Sequence, residues 1–479
     1  MAQPWSNGRV GATGISARGM IAQWMAASGH PGLKAIVPRF TAFDIYTATH
    51  AGGLTPSRFI RDIGKLLRSM DAGRLHDMPE SVVARALLRL LGMRILPMDE
   101  DHDGELLKAA FKDHEASRYL DRDLVNIVHR DDLLASASEE ATLDTQSPFA
   151  FAREIEASGV AIYAQAGWYD GPFGAELLSL HNTVKGKQNA IVIGPWGHHG
   201  KFHSSPAVAS KKPSEFDHAA DIARFFDLHL RDTPRGESGP TVRFYTTGEE
   251  RWNETSRWPP PGLGELRLYT ARDRTLLTEA PQTSGHDVYS VDPAATTGVH
   301  SRFGKHLEGG RFRVSYGDRK AADAKLLVYT SAPLERATEV TGHPIVTLFV
   351  RSNAADGAFL VYLEDVSPDG SVAVATDGGL RGLFRRLSDA PLPCWRGGPN
   401  RTFKRRDNQP FVPSEIAELV FDLYPLSHVF KVGNRIRLAI AGADRDNFAP
   451  IAGCEAPTLE VLSGGANASS ILLPVRPRP

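Results

Sequence analysis

The 479-residue sequence contains little cysteine, no long apolar run and almost no net charge. Its two cysteines, Cys394 and Cys454, lie far apart, and neither has a neighbour at metal-ligand spacing, so we expect buried or free thiols and no metal site. No run approaches the roughly 18 apolar residues that a membrane-spanning helix needs. The 55 Lys and Arg balance 56 Asp and Glu, which leaves no overall field to attract nucleic acid or an anionic membrane. We therefore expect a globular chain that binds neither.

The N-terminal region contains a serine in an unusual setting. Ser16 follows a run of small residues, 10–15, and precedes a helical pattern over 20–28. Gly14 stands two residues before it and Gly19 three residues after it. A sharp turn from strand to helix exposes a serine hydroxyl for nucleophilic attack, and glycines at these positions remove side chains that would collide there. The pattern predicts a nucleophile elbow at Ser16.

The turn would also supply a hydrogen-bond donor. The main-chain N–H of Ala17 would lie at the N-terminus of the following helix, where it could stabilise a developing oxyanion. Arg18 occupies a position where the strict motif has glycine, so an ordinary turn is the alternative interpretation of the motif alone.

Two later segments have the same form. The apolar runs 160–166 and 190–193 each end at glycine or proline and are followed by polar residues, Asp170 after the first and the pair His198 and His199 after the second. Active sites of open parallel sheets form at the carboxyl ends of the strands. The chain order of serine, aspartate and histidine is the order found in α/β hydrolases.

These segments resemble the CocE/NonD family of serine hydrolases, which includes cocaine esterase, Xaa-Pro dipeptidyl-peptidases and α-amino acid ester hydrolases. The resemblance extends from Pro4 to the C-terminus. The matching segments are 5–11, 33–38, 167–170, 194–198, 329–334, 341–342, 424–425 and 430–438. The resemblance implies that Ser16 is the nucleophile, that Asp170 orients the base and that His198 is the base. It also implies an α/β-hydrolase sheet with a helical cap and a C-terminal jelly roll.

Several site residues have a second interpretation. His199 is the alternative base, and we favour His198 because it occupies the family position. Asp170 could instead cap a helix, since glycine and proline follow it. Trp168 and Trp196 are candidates for the pocket wall, with packing in the core as the alternative.

The patterning divides the chain into three regions. The inserted region has apolar residues at helical spacing over 59–70, after Thr55 as N-cap and Pro56, and again over 82–91. Short β-like runs separated by glycine and proline predominate toward the C-terminus. We predict an α/β catalytic domain from residues 1–47 and 148–240, a helical cap over 48–147 and a β-sandwich of the jelly-roll type over 241–479.

Two segments have a strong local charge. Residues 99–144 hold fourteen acidic and five basic side chains, which indicates a solvated helix face or a surface that favours cationic substrates. Residues 381–406 hold eight basic side chains and one acidic one, interrupted by glycine, proline and tryptophan. We expect this basic segment to brace a surface between domains and not to bind nucleic acid.

The predicted chemistry is acyl transfer on a small ester or amide, including dipeptidyl amides, through an acyl-enzyme and without a cofactor. Two alternatives remain: a catalytically impaired relative, and a non-catalytic protein whose jelly roll binds a ligand.

The position of Ser16 near the start of the chain leads to a further expectation. In the resembled family, several strands and a loop that donates a second oxyanion hydrogen bond precede the elbow. Without them, the strand at 9–13 would form a bare sheet edge, so we expect low solubility or homo-oligomers, weak activity, and rescue of both by the family's N-terminal segment. The start of the chain shows no cationic leader before an apolar core; we favour a cytoplasmic location, although an upstream signal would be missing too.

Overall fold

The structure is a computed structural model that describes residues 3–74, 83, 85–86, 95–117, 119, 121–135, 137, 140–186, 189–206, 214–231, 241–303, 307–308, 311–312 and 314–478. The helices of this part are α1 (Ala17–Ala27), α2 (Ile45–Thr49), α3 (Ser57–Asp71), α4 (Glu105–His114), α5 (Asp121–Leu124), α6 (Ala152–Ala157), α7 (Phe173–Thr183) and α8 (His218–Leu230). The strands are β1 (Val10–Ile15), β2 (Leu33–Arg39), β3 (Ala161–Gly167), β4 (Asn189–Gly194), β5 (Thr241–Thr246), β6 (Arg251–Thr255), β7 (Gly264–Ala271), β8 (Thr275–Leu277), β9 (Gly285–Ser290), β10 (Leu307–Glu308), β11 (Arg311–Phe312), β12 (Leu327–Ser331), β13 (Thr338–Gly342), β14 (Ile345–Ser352), β15 (Ala358–Val366), β16 (Val372–Arg381), β17 (Ala417–Asp422), β18 (Leu426–Phe430), β19 (Arg435–Ala441), β20 (Thr458–Ser463) and β21 (Ser470–Arg476).

The first sheet has six strands in sequence order, β1 to β6. Strands β1 to β5 are parallel, and β6 is antiparallel to β5. Strands β3 and β4 are buried along nearly their whole length, as expected for parallel strands with helices on both faces. One core cluster joins α1, α6 and α7 to the sheet, while α8 contacts β1 and β2. The carboxyl ends of β1 to β4 therefore meet at one edge of a rigid sheet.

Strand β1 has β2 as its sheet partner in the described part of the chain, and its other side carries no strand there. Phe226 and Leu230 of α8 pack over Gly11 of this strand, while Val10 is exposed. This arrangement has the bare edge that the sequence predicted. The expectations of oligomers and low solubility stay predictions.

Strands β7 to β9 and β12 to β21 form a β domain over a large apolar core, and β10 and β11 pair with each other in a separate small sheet. Its strand pairs are antiparallel, apart from the parallel pair of β12 and β8. In β14 buried and half-buried residues alternate regularly, which fits a strand with one face on a core. The predicted class, an α/β domain followed by an all-β domain, is confirmed.

Strand pairing extends the first sheet beyond the predicted boundary at 240. Strands β5 and β6 pair with each other, and β5 pairs with β4, so residues 241–255 belong to the α/β sheet. The alternating burial of β5 resembles that of the sandwich strands, and the sequence pattern alone could not separate them. The other domain boundaries stay predictions.

The inserted region contains α3, α4 and α5, and Ile60, Leu124 and Leu143 contribute to its core. The predicted helix over 59–70 is present as α3, but Thr55 is not its N-cap. Pro56 takes that position with a non-helical ψ of 74°, because the Ser57 N–H first closes a tight turn onto the Thr55 carbonyl at 2.8 Å. Most of the second predicted helix, 82–91, lies outside the described residues.

Candidate active site

Ser16 occupies a strained turn between β1 and α1. Its φ of 61° and ψ of −129° lie in a region that non-glycine residues rarely adopt, and such strain is concentrated at functional sites. The turn is held by main-chain bonds: the Ser16 N–H donates to the Arg39 carbonyl at 3.0 Å, and the Ser16 carbonyl accepts from Gly19 N–H at 2.8 Å. The side chain of Thr41 donates a further bond to that carbonyl at 2.6 Å. The Ser16 side chain forms no capping bond to α1, so its hydroxyl is not occupied in holding the helix.

Two glycines make the tight turn sterically feasible. A Cβ at Gly14 would collide with the Arg18 carbonyl, and a Cβ at Gly19 would lie 2.8 Å from the Thr41 Cβ. Arg18 is exposed, and it is the backbone of this residue that approaches Gly14. An exposed position can hold the arginine side chain where the strict motif has glycine.

The turns after β3 and β4 place an acid beside an imidazole. Both carboxylate oxygens of Asp170 lie within hydrogen-bond distance of the His198 Nδ1, at 3.0 and 2.9 Å, and both side chains are buried. Main-chain bonds tie the two turns together, since Trp168 N–H donates to the Gly194 carbonyl and Tyr169 N–H to the Trp196 carbonyl, each at 3.0 Å. The Asp170–His198 pair is therefore held by the sheet edge itself.

The turn after β2 links Ser16 to this pair. Thr41 bonds to Ser16, and the ring of Phe40 lies 6.2 Å from the His198 ring, measured between centroids. Phe40 is fully buried and has a positive φ of 46°. Sequence reasoning missed this residue, because an aromatic side chain does not indicate a positive φ. The available indication was its position directly after β2, which lies between the strands that precede Ser16 and Asp170.

His199 also has a positive φ, 76°, and its ring centroid lies 4.7 Å from that of His198. The carboxylate of Asp170 bonds to His198 and thereby orients that ring. A third histidine contacts the turn that follows His199: His218 Nε2 lies 3.3 Å from the Gly200 carbonyl. Burial, aided by the nearby Arg39 guanidinium, lowers the pKa of His218 to about 4, so this ring is neutral near pH 7.

The predicted oxyanion donor lies at the first residue of α1. Ala17 is exposed, and within the described part of the chain no residue accepts a bond from its main-chain N–H. Positive potential from the helix N-terminus adds to this donor.

Trp168 and Trp196 are buried in the α/β domain. Trp168 donates its indole N–H to the Tyr245 carbonyl at 2.7 Å, and Trp196 donates to the Ser214 hydroxyl at 2.9 Å. Both rings are thus packed in the core, and their place in a pocket wall stays a prediction.

Cys394 and Cys454 are both free thiols, and burial raises the pKa of Cys394 to about 11. Among the described residues, no group of three or more His, Cys, Asp and Glu side chains could hold a metal ion. A search of the same residues found no helix both long and apolar enough to cross a membrane.

Comparisons with known proteins agree with this architecture. Residues 1–200 match the X-Pro dipeptidyl-peptidase (S15 family), and residues 235–469 match the X-Pro dipeptidyl-peptidase C-terminal non-catalytic domain. A predicted serine esterase of Mycobacterium bovis is 40% identical over 99% of this chain and 77% of its own length. The cocaine esterase of a Rhodococcus species is 29% identical over 92% of this chain and 74% of its own. Among solved structures, a CocE/NonD family hydrolase from Staphylococcus aureus has a TM-score of 0.67 at 14% identity, covering 99% of this chain and 74% of that one.

Proposed function

Since the chain belongs to the CocE/NonD family of serine hydrolases, we propose that it hydrolyses esters of small acyl groups through a Ser16, Asp170 and His198 triad. The observation that carries the proposal is the buried pair of Asp170 and His198 at the sheet edge that also carries Ser16. Family membership alone supports a hydrolase. The pair of Asp170 and His198 supports a histidine base whose ring is already oriented.

The His198 Nδ1–H donates to Asp170, so the neutral ring presents an unprotonated Nε2 as general base. Nε2 accepts the Ser16 hydroxyl proton as Ser16 Oγ attacks the acyl carbon. The same nitrogen returns the proton to the leaving alcohol, and an acyl-enzyme remains. Water then attacks this ester, with His198 again the base, and releases the carboxylic acid and free serine.

Negative charge develops on the carbonyl oxygen at both attack steps. The exposed Ala17 N–H and the N-terminus of α1 are the groups we assign to its stabilisation, because they adjoin Ser16 directly. Asp170 stabilises the imidazolium and holds the ring in one tautomer, without itself accepting a proton.

Support for esters comes from the names of the relatives, a serine esterase and a cocaine esterase. The S15 match extends the proposal to X-Pro amides as a second substrate class. Parallel assays with a p-nitrophenyl ester of a short acid and an X-Pro p-nitroanilide compare the two directly. We expect the ester to have the higher kcat/KM, and a higher value for the anilide would move the assignment to a dipeptidyl-peptidase.

The assignment of Ser16 is tested by Ser16→Ala, which removes the nucleophile. We expect ester turnover to fall by about 10⁴ to 10⁶-fold, because triad members act as a unit. Ser28→Ala is the matched control, since Ser28 is an exposed serine at the end of α1 whose hydroxyl donates to the Met25 carbonyl of the same helix. Equal turnover by Ser16→Ala and wild type, with unchanged circular dichroism, would contradict the proposal.

A further inference from the structure

The turn that carries Asp170 is held unevenly by its main chain. Tyr169, the residue before the acid, is buried, and its N–H donates to the Trp196 carbonyl at 3.0 Å. The next N–H, that of Asp170, donates to the Gly167 carbonyl at 3.4 Å, which is long for such a bond. The place of the Asp170 carboxylate therefore depends also on the side chains that pack against this turn.

A buried arginine from outside the α/β domain packs against the turn. Arg302 lies between β9 and β12 and is 1% exposed, and its guanidinium lies 5.8 Å from the centre of the Tyr169 ring. The ring of Tyr424, in the β domain, lies 4.9 Å from the same guanidinium. A guanidinium is attracted to aromatic faces at these distances, and more strongly when it is desolvated. The contact thus ties the residue before Asp170 to the β domain.

Polar contacts fix the Arg302 side chain in one place. Its Nε lies 2.8 Å from the Asp377 carboxylate and donates to the Tyr316 hydroxyl at 3.2 Å. That hydroxyl donates in turn to Asp377 at 2.7 Å. Burial acts to lower the pKa of Arg302, but the charge of Asp377 outweighs it and raises that pKa, so the guanidinium stays charged. Arg302 therefore contacts Tyr169 from a fixed position.

A second contact reaches the turn that carries His198. Val314 lies two residues before the tyrosine that bonds to Arg302, and it is buried in the same core cluster as Tyr169. A Cβ at Gly197, the residue before His198, would lie 2.9 Å from the Val314 Cγ2. Segments 300–302 and 314–316 thus contact the turns of both the acid and the base.

We propose that Arg302 is a positioning residue for the proposed hydrolysis: through Tyr169 it holds the Asp170 carboxylate where it orients His198. Residues 235–469 match a domain described as non-catalytic, and an arginine within this range contacts the turn of the acid. The inference rests on the proposed function, because it concerns how well the triad works. A displacement of about 1 Å in a reacting group can cost about 100-fold in rate.

The test compares Arg302→Met with Arg319→Met in the full chain. Arg319 is a matched control: it is 2% exposed, pairs with Glu364 at 3.3 Å and lies 4.7 Å from the Tyr362 ring, and neither partner belongs to the α/β domain. Both variants lose a buried ion pair, so both should lose stability. Normalised to folded protein, kcat for a p-nitrophenyl ester should fall about 10- to 100-fold in Arg302→Met and by less than about threefold in Arg319→Met, with KM within about threefold in both.

Variants of Tyr169 cover the case in which Arg302→Met does not fold. Tyr169→Leu removes the ring that Arg302 contacts and Tyr169→Phe keeps it, so we expect the larger loss of kcat in Tyr169→Leu. The double variant of Arg302→Met and Tyr169→Leu should be little worse than either single variant, because both changes remove one contact. Equal losses in Tyr169→Leu and Tyr169→Phe, or single losses that multiply in the double variant, would overturn the inference.

A spectroscopic measurement reads the acid and base without turnover. The Nδ1 proton that His198 donates to Asp170 is expected to give a low-field proton resonance, identified by its loss in His198→Ala. In the Ser16→Ala protein, Arg302→Met should shift or remove this resonance, and Arg319→Met should leave it in place.

The outcomes separate the inference from the proposed function. The same resonance in Arg302→Met and Arg319→Met, or equal kcat losses in these variants of an active enzyme, would overturn the inference and leave the proposed function intact. Wild-type protein that shows the resonance but no ester turnover would contradict the proposed function instead.

Discussion

Asp170 and Asp44 are both buried carboxylates of the α/β domain, yet they face different cations. Asp170 bonds to the imidazole of His198, a side chain of the type that serves as a general base. Asp44 is held by Arg130 and Arg396, whose guanidiniums stay charged. Burial acts to raise the pKa of Asp44, but the two arginines outweigh it and lower that pKa. In our proposal these two similar acids have different uses: Asp170 orients the base, and Asp44 joins domains.

The backbone around the two acids differs as well. Positive φ values at Ser16, Phe40 and His199 collect at the sheet edge beside Asp170. Asp44 instead accepts the N–H groups of Tyr46 and Thr47 and caps α2 in an ordinary geometry. The strained residues thus collect at the proposed catalytic site, while Asp44 at the domain junction lies in a network of ion pairs.

The largest expected effect is a loss of turnover at the pair of Asp170 and His198. His198→Ala removes the base, and we expect ester turnover to fall by about 10⁴-fold or more. His199→Ala, the adjacent control, should keep turnover within roughly tenfold, because Asp170 bonds to the other ring. Turnover of the purified variants, normalised to folded protein, measures both. The opposite ranking would move the base to His199.

The next effect is a loss of stability in the ion-pair network of Arg396, Asp44 and Glu176. Arg396→Met leaves Asp44 and Glu176 buried without one of their partners, and we expect the free energy of unfolding to fall by about 3 to 5 kcal/mol. Arg405→Met is the control, because Arg405 is largely exposed and its ion pair with Asp132 should contribute only about 0 to 1 kcal/mol. Urea unfolding measures both variants. A smaller loss in Arg396→Met than in Arg405→Met would show that the network does not hold the junction.

The smallest effect extends the comparison to a third buried acid, Glu364. Burial, together with the neighbouring Asp323, raises its pKa to about 8, despite Arg319 at 3.3 Å. A folded-state pKa above the unfolded value means that the folded protein binds more protons, so Glu364 should reduce stability as the pH rises from about 4.5 to 8. Glu364→Gln mimics the protonated form.

We therefore expect Glu364→Gln to raise Tm relative to wild type by about 2 to 4 °C at pH 8 and much less at pH 5. Thermal melts of both proteins across this range measure the difference. A Tm difference that does not change with pH would contradict the raised pKa.

Local patterns predicted the catalytic strands and missed the contacts between distant segments. Apolar runs ending at glycine located β3 and β4 to within one or two residues, because buried parallel strands have that pattern. The ion pair of Arg396 with Asp44 joins residues 352 positions apart, and no local signal connects them. The expectation that the basic segment braces a domain surface nevertheless agrees with this pair and with that of Arg405 and Asp132.

The site was predicted unevenly for the same reason. The types and order of Ser16, Asp170 and His198 were visible because each follows a strand. The role of Phe40 depends on a positive φ that its residue type does not indicate.

Covalent labelling tests whether Ser16 is an activated nucleophile without knowledge of the substrate. The folded protein would be treated with a fluorophosphonate, digested and mapped by mass spectrometry. We expect one phosphonylated serine, Ser16, with labelling abolished in Ser16→Ala and strongly slowed in His198→Ala. A label on another serine, or no label on folded wild-type protein, would contradict it.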